Sequence, residues 1–414
     1  MFRNRLPLRA LSILFLVGLL SAACTGRPTP TLIFPTSATS PANPSATPGA
    51  SQTAPASTDT ALPPATAVAA PTDTSPAVTD TSPAATQTEQ PAADTNTPVP
   101  ATAVPANLTS STVSADYLDD RSTASGLMLS YFNAINLKQY LRAYSYWEKG
   151  SKVGPYGPFQ QGYQDTASVK VALGAITGSA GAGQRYFTVP AALVAQTTNG
   201  KTQTFAACYT LHLGSPIIQA VPPFNPLGIA TGTAKVATNG TKSKDLLAHA
   251  CDGVPQGAPI VPAPVTNTHD ITAANYLDDR TNAVDVLSSL FNAVNRKEYV
   301  RAYSYWETNS KVGPFDKFQQ GYANTASVQL TTGKVTSGAG AGQLYFTVPA
   351  VLKAKTTGGT TQTFSACYIL HLSRPEIQGV PPFQPLAIAS ATAKLVSNGS
   401  DTKTLLNHAC DNQP

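Results

Sequence analysis

Hydrophobic residues beyond position 115 follow first a helical and then a strand-like period. An amphipathic helix is predicted by apolar residues at i, i+3, i+4, i+7, i+8 and i+11. These residues are Ala124, Leu127, Met128, Tyr131, Phe132 and Ile135. Asn136 and Gln139 have the spacing of a capping box and predict the start of a second helix. One face of that helix would carry Tyr140, Ala143, Tyr144 and Trp147.

After a short third helix around Phe159 and Tyr163, the apolar residues alternate as they do in strands. The first long strand would present Phe187, Val189, Ala191, Leu193 and Ala195. Asn199-Gly200 then supplies the positive-φ pair of a tight hairpin. The return strand would present Phe205, Ala207, Tyr209, Leu211 and Leu213. A last strand near 227–236 and a terminal helix around 246–251 complete an α+β pattern of helices followed by an antiparallel sheet.

This pattern occurs twice at a constant offset of 159 residues. Tyr117-Leu-Asp-Asp-Arg121 returns as Tyr276-Leu-Asp-Asp-Arg280, and the heptapeptide RAYSYWE occurs at 142–148 and at 301–307. The copies align without insertion or deletion, with about three in five positions identical. A repeat of this length indicates a duplicated domain and not a short solenoid unit.

The composition divides the chain into five segments. Residues 1–24 are predicted to be a signal peptide, and residues 25–114, rich in Pro, Thr, Ser and Ala, a disordered tether. The first repeat spans 115–253, a Pro-rich linker 254–272 and the second repeat 273–414. Lys and Arg (27) barely exceed Asp and Glu (22) and form no basic cluster, which argues against a nucleic-acid partner.

The N-terminus has the three parts of an export signal. A basic region is followed by the apolar run Leu11–Leu20 and by the sequence Leu-Ser-Ala-Ala-Cys ending at Cys24. That ending resembles the lipobox of bacterial lipoproteins, although Ser21 stands where Leu is usual. The resemblance implies lipidation of Cys24 and a membrane anchor on the extracytoplasmic side. An ordinary secretory signal is the alternative interpretation.

The order of elements resembles the nuclear-transport-factor-2-like, or SnoaL-like, superfamily. The segments that carry the likeness are YFNAINLKQYLRAYSYWE, FQQGYQDTASVKV and YFTVPAALVAQTTNGKTQTFAACYTLHL. The resemblance implies two tandem cone-shaped domains, each with N-terminal helices packed on a curved antiparallel sheet around a pocket. The family often ends in a Gly-x-Trp-x-Ile strand, whereas this chain has PPFNPLGIA and PPFQPLAIA. The family includes enzymes and non-catalytic binding modules.

Each repeat has two cysteines at identical spacing. In an exported protein this pattern predicts one disulfide per repeat, Cys208–Cys251 and Cys367–Cys410. The alternative is a zinc site, because His212 lies near Cys208 and His249 near Cys251. Residues four apart on a strand are separated by about 13 Å, too far to share one ion, so we expect disulfides and no metal or cofactor.

The candidate binding residues are aromatic side chains present in both copies. A pocket is predicted from Tyr140, Tyr144, Trp147, Phe159, Tyr163, Tyr209, Tyr299, Tyr303, Trp306, Phe318, Tyr322 and Tyr368. For most of these residues, the alternative interpretation is that the side chain is part of the hydrophobic core. The acids repeated in both copies are Asp119, Asp120 and Glu148, with Asp278, Asp279 and Glu307. The Asp pairs precede a predicted helix, where capping explains them, and no catalytic residue is assigned.

These observations predict a cell-surface lipoprotein whose duplicated domains bind a small molecule, a glycan or a protein without catalysis. An enzyme of hydrolase or isomerase type using the cone pocket is the alternative function, followed by a zinc-binding module. Two linked sites would raise avidity. Alternatively, the two repeats would pack on each other as an intramolecular pseudo-dimer.

Overall fold

The computed structural model describes residues 116–260 and 270–411. The predicted signal peptide with Cys24, the tether and the centre of the linker lie outside the described residues. In the part that is described, no helix is long and apolar enough to cross a membrane.

The first repeat contains four helices and five strands, and the linker adds a short sixth strand. The helices are α1 (Ala124–Asn136), α2 (Tyr140–Ser145), α3 (Tyr156–Gly162) and α4 (Ser243–His249). The strands are β1 (Thr166–Leu173), β2 (Thr177–Gly181), β3 (Gln184–Thr197), β4 (Thr202–Gly214), β5 (Gly228–Ala237) and β6 (Ala258–Pro259).

The second repeat has the same elements except for the linker strand. Its helices are α5 (Ala283–Asn295), α6 (Tyr299–Tyr303), α7 (Phe315–Gly321) and α8 (Thr402–His408). Its strands are β7 (Thr325–Thr332), β8 (Thr336–Gly340), β9 (Gln343–Thr356), β10 (Thr361–Ser373) and β11 (Ala387–Val396). The predicted α+β class, with helices and an antiparallel sheet in each copy, is therefore present.

The long β3–β4 hairpin forms the centre of the first sheet, whose strand order is β5-β4-β3-β2-β6. The hairpin turns at Asn199-Gly200 as predicted, but only Gly200 has a positive φ (+78°), so the predicted positive-φ pair is wrong. Strands β1 and β2 share one edge of β3, β2 along its first half and β1 along its second. The second sheet repeats this arrangement, with β7 and β8 on the same edge of β9.

The hydrophobic core lies between the helices and one face of each sheet. In the first repeat the predicted apolar faces of α1, β3 and β4 meet there, and Leu127, Tyr131 and Tyr209 have no exposed surface. The burial of these faces is the main source of stability for each repeat.

The predicted capping box at Asn136 is wrong, because helix α2 has no side-chain cap. The Asn136 amide instead donates to the backbone oxygen of Val169 (3.0 Å) and accepts from its N–H (2.7 Å). Asn295 makes the same pair of bonds to Val328. This side chain therefore fastens the end of the first helix to the first strand in both repeats.

Both predicted disulfides are present in the structure. Cys208 is bonded to Cys251 and Cys367 to Cys410, each closing a separation of 43 residues. Each bond joins the terminal helix to the central hairpin, which corresponds to about 4 kcal/mol in the chain-entropy model. Because the four sulfurs are bonded in pairs, they are not available as thiolate ligands for zinc.

Candidate functional site

The two repeats meet through reciprocal backbone hydrogen bonds. The backbone N–H of Arg121 donates to the backbone carbonyl of Asp278 at 2.7 Å. The backbone N–H of Arg280 donates to the backbone carbonyl of Asp119 at the same distance. Asp120 and Asp279 face each other as an antiparallel bridge. Two hydroxyls accept N–H groups of the opposite segment, those of Ser122 and Thr281. Each of these contacts at 119–122 and 278–281 has its mate, as at an isologous interface.

We call this contact between the repeats, at 119–122 and 278–281, the joint. A buried arginine from the repeated heptapeptide lies under it. Arg142 has no exposed surface, and its guanidinium donates to Asn133 Oδ1 (2.7 Å), Gln139 Oε1 (2.7 Å) and the Leu118 carbonyl. The guanidinium also stacks over the ring of Tyr117, 4.5 Å from its centre. A buried charge of this kind is tolerated because its donors are paired.

The tyrosine of the heptapeptide connects this network to the joint. The Tyr146 hydroxyl donates to Asp119 Oδ1 at 2.8 Å, and Arg121 lies over the Tyr146 ring at 4.4 Å. Burial and the Asp119 charge raise the pKa of Tyr146, so the phenol keeps its proton and acts as the donor. Trp147, the next residue, pairs with Ile229 of β5. The heptapeptide therefore joins core, sheet and repeat interface.

The second repeat has the same network with two changes of charge, one of which places Arg296 where the first repeat has Leu137. Arg301 occupies the place of Arg142, and Glu298 replaces the neutral Gln139. The Arg301–Glu298 ion pair measures 2.5 Å between Nη2 and Oε2, and Arg296 contacts the other carboxylate oxygen at 2.8 Å. Gln139 itself donates to Glu376 of the second repeat at 2.7 Å, which is a further contact between the copies.

The paired aspartates do not cap helices, so the expected capping role of Asp119 and Asp120 is wrong. Thr123 caps α1 by accepting from Gly126 N, because Thr123 is the residue that directly precedes the helix. Asp120 Oδ1 accepts from the Ser122 N–H at 2.7 Å. Burial raises the pKa of Asp120.

The pKa of Asp279, which faces Asp120 across the joint, is strongly shifted. Burial, together with the charges of Asp120 and Asp285, raises the pKa of Asp279 to about 8. Opposed carboxylates on neighbouring strands repel each other when both are ionised. The centre of the joint therefore carries groups that hold a proton at a pH where exposed aspartates do not.

A cleft of about 660 Å³ opens beside this joint and is lined by both repeats. Its lining includes two proline–phenylalanine pairs and two arginines: Pro223, Phe224, Pro382, Phe383, Arg121 and Arg280. Ser151 also lines it, and the Ser151 hydroxyl is buried without a hydrogen-bond partner among the described residues. The matched Ser310 hydroxyl donates to the Glu307 carbonyl at 2.6 Å. The cleft thus combines apolar walls with an unused hydrogen-bonding group.

The predicted pocket residues are divided between the cleft and the repeat interiors. Tyr144 and Trp147 line the cleft. Side chains that are buried in the cores are Phe159, Tyr163, Tyr209, Phe318 and Tyr368. Side chains that are half-buried at the core margins are Tyr140, Tyr299, Tyr303, Trp306 and Tyr322. A pocket inside the repeats therefore stays a prediction, and the cleft is a site that the sequence did not indicate.

The remaining candidate acid, Glu148, pairs with a histidine. Glu148 Oε1 lies 2.8 Å from His212 Nδ1, and His212 Nε2 lies 2.7 Å from Gln184 Oε1. The Tyr186 ring stacks on the imidazole at 4.6 Å. The second repeat has the same arrangement with Glu307, His371, Gln343 and Tyr345. Both ring nitrogens are used, so the histidine ties the end of α2 to the sheet.

No metal cluster of three or more His, Cys, Asp or Glu side chains occurs within 116–260 and 270–411. Side chains of both copies converge at the joint and line the cleft. No protein-family model, curated protein or solved structure matches the chain.

Proposed function

We propose that this protein is a lipid-anchored binding protein whose ligand occupies the cleft between the two repeats, without catalysis. The cleft itself carries the proposal. Its volume of about 660 Å³ falls in the range of small-molecule sites, roughly 300–1,000 Å³. Aromatic and proline walls with a few convergent polar groups are typical of such sites.

The paired contacts at the joint support an intramolecular pseudo-dimer. Backbone bonds cross it in both directions, and Tyr117 and Tyr276 each pack against the core of the opposite repeat. The duplication then has a direct use, because a cleft lined by both copies requires both. The order of helices and antiparallel strands supports nuclear-transport-factor-2-like cones as the fold of each copy.

The location proposed is the outer side of a membrane. Disulfides are typical of proteins outside the cytoplasm, and two are present. The lipobox-like ending at Cys24 supports a lipid anchor. Cys24→Ala is expected to release the protein from the membrane fraction or leave it unprocessed. Mass spectrometry of the native protein that finds an unlipidated, normally processed N-terminus would contradict the anchor.

The cleft is tested by filling it. A library of small molecules and oligosaccharides is screened against the full soluble chain by ligand-observed NMR. Hits are expected to lose binding in Ser151→Trp, which places an indole at the cleft wall. The matched control is Ser310→Trp, the same change at the equivalent position of the second repeat. Equal binding to both variants, or a library without hits, would contradict the proposal.

A further inference from the structure

A groove beside the edge strand β2 of the first repeat is filled by the linker. Thr188 Oγ1 donates to the Pro255 carbonyl at 3.2 Å, and Thr177 Oγ1 lies 2.9 Å from Gln256 Oε1. The linker then runs antiparallel to β2, with Pro259 opposite Thr177. It is thus a strand added to the sheet edge by the chain's own flanking peptide.

Two glycines allow this close approach. A Cβ on Gly257 would lie 2.0 Å from the Gly178 backbone oxygen, so any other residue there would push the linker away from β2. A Cβ on Gly178 would lie 2.5 Å from Ile260 Cδ1, so the bare Gly178 makes room for that side chain. The Ile260 N–H donates to the Ile176 carbonyl at 2.9 Å.

The second repeat has the same groove, and the described chain places no peptide in it. A cavity of about 680 Å³ lies there, lined by Thr336, Thr347 and Cys410. These residues are the counterparts of Thr177, Thr188 and Cys251, which contact the linker in the first repeat.

The burial of the two grooves differs accordingly. In the first repeat Thr188 and Leu247 are buried on the side where the linker lies. Their counterparts Thr347 and Leu406 in the second repeat are half-buried. Every residue of β8 is exposed, and β8 pairs only with β9 among the described strands. Within 270–411 the second repeat therefore presents an unpaired sheet edge next to a groove that no described peptide fills.

We propose that this groove of the second repeat binds an extended, proline-containing peptide of a partner protein, which adds an antiparallel strand to β8. The linker in the first groove indicates which residues such a peptide needs. The peptide needs glycine at the position of Gly257, because the backbone it must pass is the same in both repeats. It also needs carbonyl or amide oxygens within reach of the hydroxyls of Thr336 and Thr347.

One substitution gives the second groove its own specificity. Ser337 stands where the first repeat has Gly178, and its Cβ occupies the space that Ile260 uses in the first repeat. The peptide recognised by the second repeat must therefore carry a small residue, such as alanine, at the Ile260 position. Lys334, in place of Ala175, adds a positive charge to the same groove.

The test uses labelled synthetic peptides and the full soluble chain. The first peptide has the linker sequence DGVPQGAPIVP, the second carries Ile260→Ala, and the third carries Ile260→Ala with Gly257→Val. Binding is measured by fluorescence anisotropy, and the site by hydrogen–deuterium exchange of 336–340. The alanine peptide is expected to bind and protect this strand. Both the linker peptide and the Gly257→Val peptide are expected to bind at least about tenfold more weakly, or about 1.4 kcal/mol.

A protein variant provides the matched control. Ser337→Gly recreates the first groove and is expected to remove the preference against isoleucine, so that the linker peptide gains about tenfold in affinity. The proposal is overturned if no peptide protects 336–340, if the Gly257→Val peptide binds equally well, or if protection occurs only at 177–181 of the first repeat. A cleft-filling Ser151→Trp variant should bind the peptides normally, which separates this groove from the cleft.

Discussion

The two repeats share most of their sequence, yet the first is closed where the second is open. In the first, the Tyr131 hydroxyl is bonded to that of Tyr163 at 2.7 Å inside the core. The second has Leu290 at the Tyr131 position, and Tyr322, the counterpart of Tyr163, is half-buried. Outside, the linker covers one groove, and no segment of the described chain covers the other. One core residue and one flanking peptide therefore change how much of each domain is exposed to solvent.

The largest expected difference concerns the buried arginines. Arg301→Met should lower the free energy of unfolding by about 3–5 kcal/mol, because it leaves Glu298 buried with less compensation. Arg142→Met should cost less, about 1–3 kcal/mol, since its partner Gln139 is neutral. Urea denaturation measures both. Adding Glu298→Gln to Arg301→Met should recover part of the loss, and equal losses for the two arginines would contradict this account.

The next difference concerns the interior hydroxyl of the first repeat. Tyr131→Leu should destabilise the protein by about 2–3 kcal/mol, since it removes a buried hydrogen bond and leaves space beside Tyr163. The reciprocal Leu290→Tyr places a hydroxyl near Tyr322. It should cost less than Tyr131→Leu if the second interior has room, and thermal unfolding compares the two. A larger cost for Leu290→Tyr would show that the second interior is as tightly packed as the first.

The stability of the folded protein should depend on pH because of the joint between the repeats. The folded state holds the Asp279 proton up to about pH 8, whereas the unfolded chain releases it near pH 4, so stability falls as the pH rises between these values. The slope is at most about 1.4 kcal/mol per pH unit for one proton. Asp279→Asn should reduce this slope, measured by unfolding at pH 5, 6, 7 and 8.

Asp120→Asn is the companion variant for this measurement. It removes the charge that faces Asp279, so it should reduce the slope in part. An unchanged slope in both variants would mean that the two carboxylates are not the source of the pH dependence.

The smallest expected effect concerns the linker. Gly257→Val should push the linker away from β2 and cost about 1 kcal/mol or less, because few contacts hold it. Hydrogen–deuterium exchange of 177–181 should rise toward that of 336–340, making the first repeat resemble the second. Unchanged exchange would mean that the linker does not protect this edge.

Much of the fold could be predicted because its signals are local. The alternation of Phe205 to Leu213, the turn at Asn199-Gly200 and the cysteine spacing each specify a structure over a short distance. The capping hypotheses failed at Asn136 and Asp120 because other bonds compete with the cap. Asn136 bonds Val169, which only the fold brings near, whereas Asp120 accepts from the N–H of Ser122 in a local turn ahead of the helix.

The sequence by itself determined the duplication, the order of helices and strands, the interior faces and the disulfide pairs, because periodicity and matched spacing are properties of the chain alone. Only the tertiary structure decided that Arg142 is buried, that Asp120 faces Asp279, and that the linker fills the groove of the first repeat. These features depend on segments that are separate in sequence, whose burial and hydrogen bonds exist only once the chain has folded.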